Sequence, residues 1–414
     1  MNNRIGKSNR GYCLATLLAI ILAAAVGVGA LLATPALAQT ETILYSFTGT
    51  PDGQNPGASL IQDAAGNLYG VTVYGGVYGY GTGFELSFQN GAWLETILHS
   101  FGGPGDGGQP AGMAMDRAGN LYGAANGDVY ELTPDGQGNW TETILKTFKY
   151  PSIPVGCLTL DAEGRLYGAA TGSLRNGCCG FIYRLSPPTK KGRPWKYLVL
   201  YSTRGFKHSD GAIPNGGLVF DATGNLYGTT ELGGTYNYGA VFELSPGAKR
   251  WTEKVLYSFQ RLSDGGLPIA GLVFDAVGNL YGTTMSGGNA DAGTVFELSP
   301  GAGAWTETVL HSFTGLSDGD GPVAPVTLHN GSLYGTTACG GNRSGCMQNG
   351  GDGVVFELSP SGGGWTEQVL HTFTSSPDGA LPGGGVIFDP RGDLYGVTGY
   401  GGTTGSGVVY KISQ

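Results

Sequence analysis

The sequence predicts an all-β chain: a seven-bladed β-propeller with four antiparallel strands per blade, its ring closed by the N-terminal strand completing the last blade. Three observations carry this expectation. A ten-residue motif recurs seven times, each copy sits among four short strand-like runs, and the two ends of the repeated region are incomplete in complementary ways.

The motif is clearest in "DATGNLYGTT" (221–230), and it returns in variants beginning at Asp63, Asp116, Asp161, Asp275, Leu328 and Asp389. Its tyrosines stand at Tyr69, Tyr122, Tyr167, Tyr227, Tyr281, Tyr334 and Tyr395, with gaps of 53, 45, 60, 54, 53 and 61 residues. Periods of this size belong to solenoids, propellers or arrays. A catalytic group is needed once, so seven copies favour a structural reading. In "D-A-x-G-N" the Asp can bond its own turn and Gly takes the left-handed position of a bulged hairpin. Leu and Tyr then enter the next strand as packing residues, and the following Gly allows a neighbouring backbone to approach. The motif reads as a strut.

The fifth unit shows the four runs best: "GLVFD" (271–275), "NLYGTT" (279–284), "GTVFELS" (293–299) and "WTETVLHSF" (305–313). All are rich in β-branched and aromatic residues and bounded by Gly, Pro or Asn. No helical periodicity of useful length follows the N-terminal segment. Four antiparallel strands with two apolar faces describe a propeller blade, stable only against neighbours. At the ends, "ETILYSF" (41–47) is a fourth-strand sequence before any first strand, and "GVVYKIS" (407–413) is a third strand with no fourth after it. The N-terminal strand should therefore complete blade seven.

Residues 1–38 read as a signal peptide: Arg4, Lys7 and Arg10 precede an apolar run, and "ALA" at 36–38 offers a cleavage site. An uncleaved anchor is the alternative. The expected mature domain is 39–414, secreted to the periplasm or beyond. The leader holds three of the 22 basic residues and none of the 31 acidic ones, so the remainder carries −12 rather than −9. That sign disfavours nucleic acid or an anionic membrane as partner. The local exception is Arg184, Lys190, Lys191, Arg193, Lys196, Arg204 and Lys207, read as a solvated loop and outer strand. The 78 glycines recur at fixed places beside apolar strands, as turn-dense β structure requires. Cys339 and Cys346 share one loop insertion and could close a small disulfide ring, while Cys157, Cys178 and Cys179 leave one thiol over. No histidine stands at ligand spacing from a cysteine, so neither a metal nor a cofactor is expected.

The unit "LYSFTG…DGxxP…GLVFDAxGNLYGTTxxGG…GTVFELSP" resembles the GloVer repeat of secreted choice-of-anchor tandem-repeat proteins, over essentially all of 41–414. The resemblance implies export and a propeller-like array, and no defined activity. Members often carry a C-terminal anchoring module; none follows here, so attachment by that route is not expected. The Gly doublets and Trp give a looser, architectural resemblance to kelch repeats.

Strand alternation places the "DGxxP" turns and the glycine-doublet loops on one rim. The turn Asp stands at Asp52, Asp106, Asp210, Asp264, Asp318 and Asp378, with "YPSIP" (150–154) in blade three. A carboxylate ring could bind calcium, but Asp-Gly also simply starts turns. His99, His311 and His371 share a position with Tyr45, Tyr201 and Tyr257, which reads as packing; His208 and His329 occur singly. Glu85, Glu131, Glu243, Glu297 and Glu357 are likewise parts of the repeat. No acid pair suited to glycoside hydrolysis stands out. The informative departures are tyrosines in the glycine-rich loops: Tyr74, Tyr78 and Tyr80 in blade one, Tyr400 in blade seven, Tyr236 and Tyr238 in blade four. Ring closure would gather Tyr74, Tyr78, Tyr80 and Tyr400 into one patch flanked by Asp52 and Asp378. Tyrosine suits stacking on a sugar ring while bonding its hydroxyls. The expected function is a monomeric binding or scaffold module for an extracellular glycan or cell-surface protein. The alternatives are a polysaccharide hydrolase or lyase on the same face, and a structural envelope protein.

Overall fold

A computed structural model describes residues 39–172, 179–190, 192–205, 209–342 and 352–413. The segment 1–38, expected to be a signal peptide, and Cys178, Lys191, Lys207, His208 and Cys346 lie outside them, and with Cys346 lies the expected partner of Cys339. Residues 39–414 form one compact unit.

Seven antiparallel sheets succeed one another along the chain, each the four-stranded blade expected from the repeat. In blade five the strands run Val273–Phe274, Leu280–Thr284, Thr294–Pro300 and Trp305–Ser312, in that spatial order. The described residues hold strands and turns and no helix. The ring closes as the chain ends require. Thr40–Ser46 pairs antiparallel with Val408–Ser413, from Thr40 opposite Ser413 to Ser46 opposite Val408, and so supplies the fourth strand of blade seven.

The cores lie between blades rather than within them. Seven apolar clusters each join two neighbours; at closure Tyr395, Val397 and Val409 of blade seven meet Phe47, Leu60, Phe84 and Leu86. The hairpin motif is built as a strut. Asp221 Oδ1 accepts from the Thr223 and Asn225 amides at 2.9 Å each, and Gly224 has φ +90°. Oδ2 accepts from the Tyr227 hydroxyl at 3.2 Å, so the tyrosine ties the turn to its strand as well as packing. One expectation is corrected. The glycine after each tyrosine makes room for a paired aromatic ring, not a backbone: a Cβ on Gly228 would lie 2.8 Å from Phe242 Cζ. Tyr130, Tyr183 and Tyr410 replace that Phe in three blades, and their buried hydroxyls find no hydrogen-bond partner.

Every fourth strand carries the same β-bulge. In blade one Ile97 pairs with Phe84 and His99 with Gly83, leaving Leu98 as the extra residue. A bulge shifts the alternation of faces. Glu95 lies opposite Leu86 and His99 opposite Gly83, three positions apart, so the two side chains leave opposite faces of the blade. That parity shift organises the site described next.

Candidate functional site

Because of the bulge, each fourth strand sends its Glu into the junction behind it and its Tyr or His into the junction ahead. The turn aspartate meets both. Tyr45 Oη donates to Asp52 at 3.1 Å, Tyr201 to Asp210 at 2.7 Å and Tyr257 to Asp264 at 3.1 Å. The imidazole Nε2 of His99, His311 and His371 stands 2.9, 3.3 and 3.1 Å from Asp106, Asp318 and Asp378. Beside these aspartates lie Glu95, Glu142, Glu253, Glu307, Glu367 and Glu41 of the following strand, each with a buried Oε1 that has no partner. Burial, then the charge of its aspartate, pushes Glu41, Glu95, Glu253, Glu307 and Glu367 up to about 7. Two carboxylates this close cannot both ionise cheaply, so the glutamic acid holds its proton up to about pH 7. Six junctions therefore hold an acid–carboxylate pair.

The junction of blades two and three departs in all three members at once. No turn Asp is present, Tyr197 replaces the Glu, and Lys146 replaces the Tyr or His. The Lys146 ammonium sits 5.1 Å from the Tyr197 ring centroid, a cation–π contact where the other junctions use a proton.

Asp52 and Asp378, expected beside the tyrosines, face these junctions and are 9% and 8% exposed. Asp52 Oδ2 also accepts from the Thr48 amide and hydroxyl, at 2.8 and 3.0 Å. The tyrosines themselves stand out on the rim, where the turns do pack against the glycine-doublet loops (Gly76 N to Asp52 O, 2.7 Å). Exposure is 41% for Tyr74, 52% for Tyr78, 54% for Tyr80, 50% for Tyr236, 37% for Tyr238 and 45% for Tyr400. Their backbones are pinned. Tyr74 pairs with Gln54, Tyr400 exchanges both hydrogen bonds with Ala380, and the carbonyls of Tyr80 and Tyr238 accept from Gln109 at 2.7 Å and Leu267 at 2.8 Å.

Gly53–Pro56 links Tyr74 to the loop bearing Tyr400, since Asn55 N donates to Ser406 O at 2.9 Å. Tyr78 and Tyr80 lean the other way, over Gly103 and over Gly102 and Gly108 of the turn entering blade two. Blade four repeats this loop, with Tyr236 and Tyr238 at the equivalent places, and there the Arg261 guanidinium lies 5.9 Å from the Tyr238 ring.

Two cavities bear on chemistry. One, of ≈ 270 Å³, is lined by segments in or next to the first strand of each of the seven blades, among them Ser59, Cys157, Thr159 and Asn215, and so lies on the axis. Its lining holds no carboxylate or imidazole among the described residues; Cys157 is its free thiol. The other, of ≈ 440 Å³, opens at the junction of blades four and five and is lined by Asp264, Glu307, Asn289 and His311. The glutamates of these pairs escaped the sequence reading, although "WTE" recurs and the junction of blades two and three loses Asp, Glu and Tyr/His together.

Comparison with known proteins agrees with this architecture. A streptogramin B lyase structure is similar at TM-score 0.55 and 13% identity, over 91% of this chain and 97% of that one. A catalytically inactive virginiamycin B lyase from Staphylococcus aureus with quinupristin gives 0.55 and 13%, over 91% and 99%. The extracellular domain of a hybrid two-component system from B. thetaiotaomicron gives 0.54 and 13%, over 90% of this chain and 41% of that one. At such identities the likeness is one of fold. No curated protein matches the chain in sequence. The model of the Gloeobacter/Verrucomicrobia repeat matches residues 124–345 and 252–414, so with seven in-register copies on one closed ring the chain belongs to that repeat family.

Proposed function

We propose that this propeller is an exported, monomeric binding module whose tyrosine-bearing rim takes an extracellular glycan. The observation that carries the reading is the exposure of six tyrosines, 37–54% each, on loops whose backbones are hydrogen-bonded in place. Aromatic faces held rigidly at the surface lose little freedom on stacking against a sugar ring, and their hydroxyls can bond the ring's edge. The fold supports the reading only in general, since propellers host many functions. A cell-surface protein is the other partner such a rim would suit.

A polysaccharide hydrolase or lyase is the second reading. It is favoured by the open cavity at the junction of blades four and five, whose lining includes Asp264, Glu307 and His311, with burial pushing Glu307 up to about 7. An acid that holds its proton to near neutral pH, close to a second carboxyl group, is an arrangement that general acid–base chemistry uses.

One experiment addresses both. The protein is co-sedimented with cellulose, chitin and xylan beside a Tyr74→Ala/Tyr78→Ala/Tyr400→Ala variant, and the supernatant is assayed for released sugar. Tyr80 is left in place because its ring packs on Gly102 and Gly108. Pelleting of the wild type alone, without sugar release, is the expected result. Release abolished by Glu307→Gln would favour the enzyme, and failure of the wild type to pellet would remove glycan binding for these polymers.

A further inference from the structure

The junction of blades one and two differs from the other five acid pairs by one residue. Strand three opens with Thr82, Phe181, Ala240, Thr294, Val354 and Val408 in the other blades, but with Asp128 in blade two. Asp128 is 7% exposed, and its Oδ1 has no hydrogen-bond partner. Its Oδ2 lies 3.2 Å from the place a Cβ would take on Gly107, next to Asp106 in the chain, and its charge acts on both Asp106 and Glu142. The Asp106 side chain is 8% exposed and its Oδ1 is also unpartnered, as is Glu142 Oε1. Three unsatisfied carboxylate oxygens are thus buried at one place. Among the described residues no lysine or arginine forms an ion pair with any of the three; the one ion-pair partner is His99, 2.9 Å from Asp106 Oδ2 and 3.7 Å from Glu142 Oε2.

We propose that His99, Asp106 and Glu142, with the charge of Asp128 beside them, form a site for one divalent transition cation of the zinc or manganese class. The sequence reading expected no metal, because it looked for cysteine–histidine spacing. Here the ligands come from two blades and are far apart in the chain. Ligand atoms of His99, Asp106 and Glu142 all lie within 4.8 Å of one another, close to the span of at most about 4.4 Å for donors about 2.0–2.2 Å from a common ion. The imidazole selects a transition cation over calcium or magnesium, which prefer all-oxygen shells. A doubly charged ion would neutralise carboxylates that no side-chain cation reaches. It would also staple blade one to blade two, beside the single-residue Gly127 link between the second and third strands of blade two.

The test uses two variants that borrow residues the chain itself places at equivalent positions: His99→Tyr, as at Tyr45, and Asp128→Thr, as at Thr82. The full chain is stripped with EDTA, dialysed at neutral pH and titrated calorimetrically with ZnCl₂, MnCl₂ and CaCl₂, with metal content read by mass spectrometry. Expected are one high-affinity Zn²⁺ or Mn²⁺ per wild-type chain and a loss of about 10-fold or more in affinity in each variant. Thermal unfolding in EDTA checks that the variants fold; if one does not, Glu142→Gln replaces it. No bound metal in the wild type, binding of Ca²⁺ alone, or unchanged affinity in the folded variants would each overturn the proposal.

Discussion

The acid–carboxylate pairs give the ring an unusual pH dependence, best tested where the glutamate faces only its aspartate and a tyrosine. Glu95 lies by Asp52 and Tyr45, and Glu307 by Asp264 and Tyr257. Both are raised from 4.5 to about 7, by burial first and the aspartate second. The folded state then holds a proton that the unfolded chain releases at lower pH. The stability so contributed is fully present below about 4.5 and lost as pH rises through about 7. The shift itself would correspond to about 3 kcal/mol per site, at about 1.4 kcal/mol per pH unit. These side chains keep some contact with water, and screening lowers the figure to about 1 kcal/mol each.

Glutamine has the shape of the protonated acid and stays uncharged at every pH. Glu95→Gln/Glu307→Gln should therefore match the wild type at pH 5 and exceed it by about 2 kcal/mol at pH 8. For a domain of this size that is a difference in Tm of about 2–3 °C, read by differential scanning fluorimetry at the two pH values. A variant as pH-sensitive as the wild type, or one less stable at pH 8, would refute the assignment of the protons to these glutamates.

Two further outcomes follow from the same geometry. Tyr183→Phe should be neutral or stabilising by up to about 1 kcal/mol in urea unfolding, because it removes a buried hydroxyl without a partner from a ring position that is Phe in four blades. Asp221→Ala should destabilise by about 1–3 kcal/mol, since it strands the Thr223 and Asn225 amides and the Tyr227 hydroxyl, yet should leave co-sedimentation unchanged; altered binding would mean that the motif is more than a strut.

How much of this was legible follows from the range of each interaction. The turn of Asp221 spans five residues, so its chemistry could be read directly, as could the tyrosines that interrupt glycine-rich loops. Ring closure was legible because "ETILYSF" and "GVVYKIS" complement each other. The acid pairs were not, for two reasons. Asp52 and Glu95 are separated by three strands. And simple strand alternation puts Glu95 and His99 on one face; only the bulge at Leu98, which no residue type announces, sends them apart. The role of the glycine after each tyrosine was misjudged on similar grounds, since the Phe242 ring reaches Gly228 from the paired strand.

The trio nevertheless left a trace in the sequence. If the turn Asp, the Glu and the Tyr or His were independent packing choices, a blade could lose any one alone. A lone Glu would leave a buried acid without an acceptor, and a lone Asp would leave its Tyr or His unmatched. The junction of blades two and three lacks all three together, and Lys146 over Tyr197 restores a closed polar contact with different chemistry. Repeats thus carry information in their joint departures. The same argument singles out Asp128, where a junction gains an acid and, among the described residues, no lysine or arginine pairs with it. A buried negative charge added without a partner side chain needs a proton or a metal ion, and the titration of His99→Tyr and Asp128→Thr tells these apart.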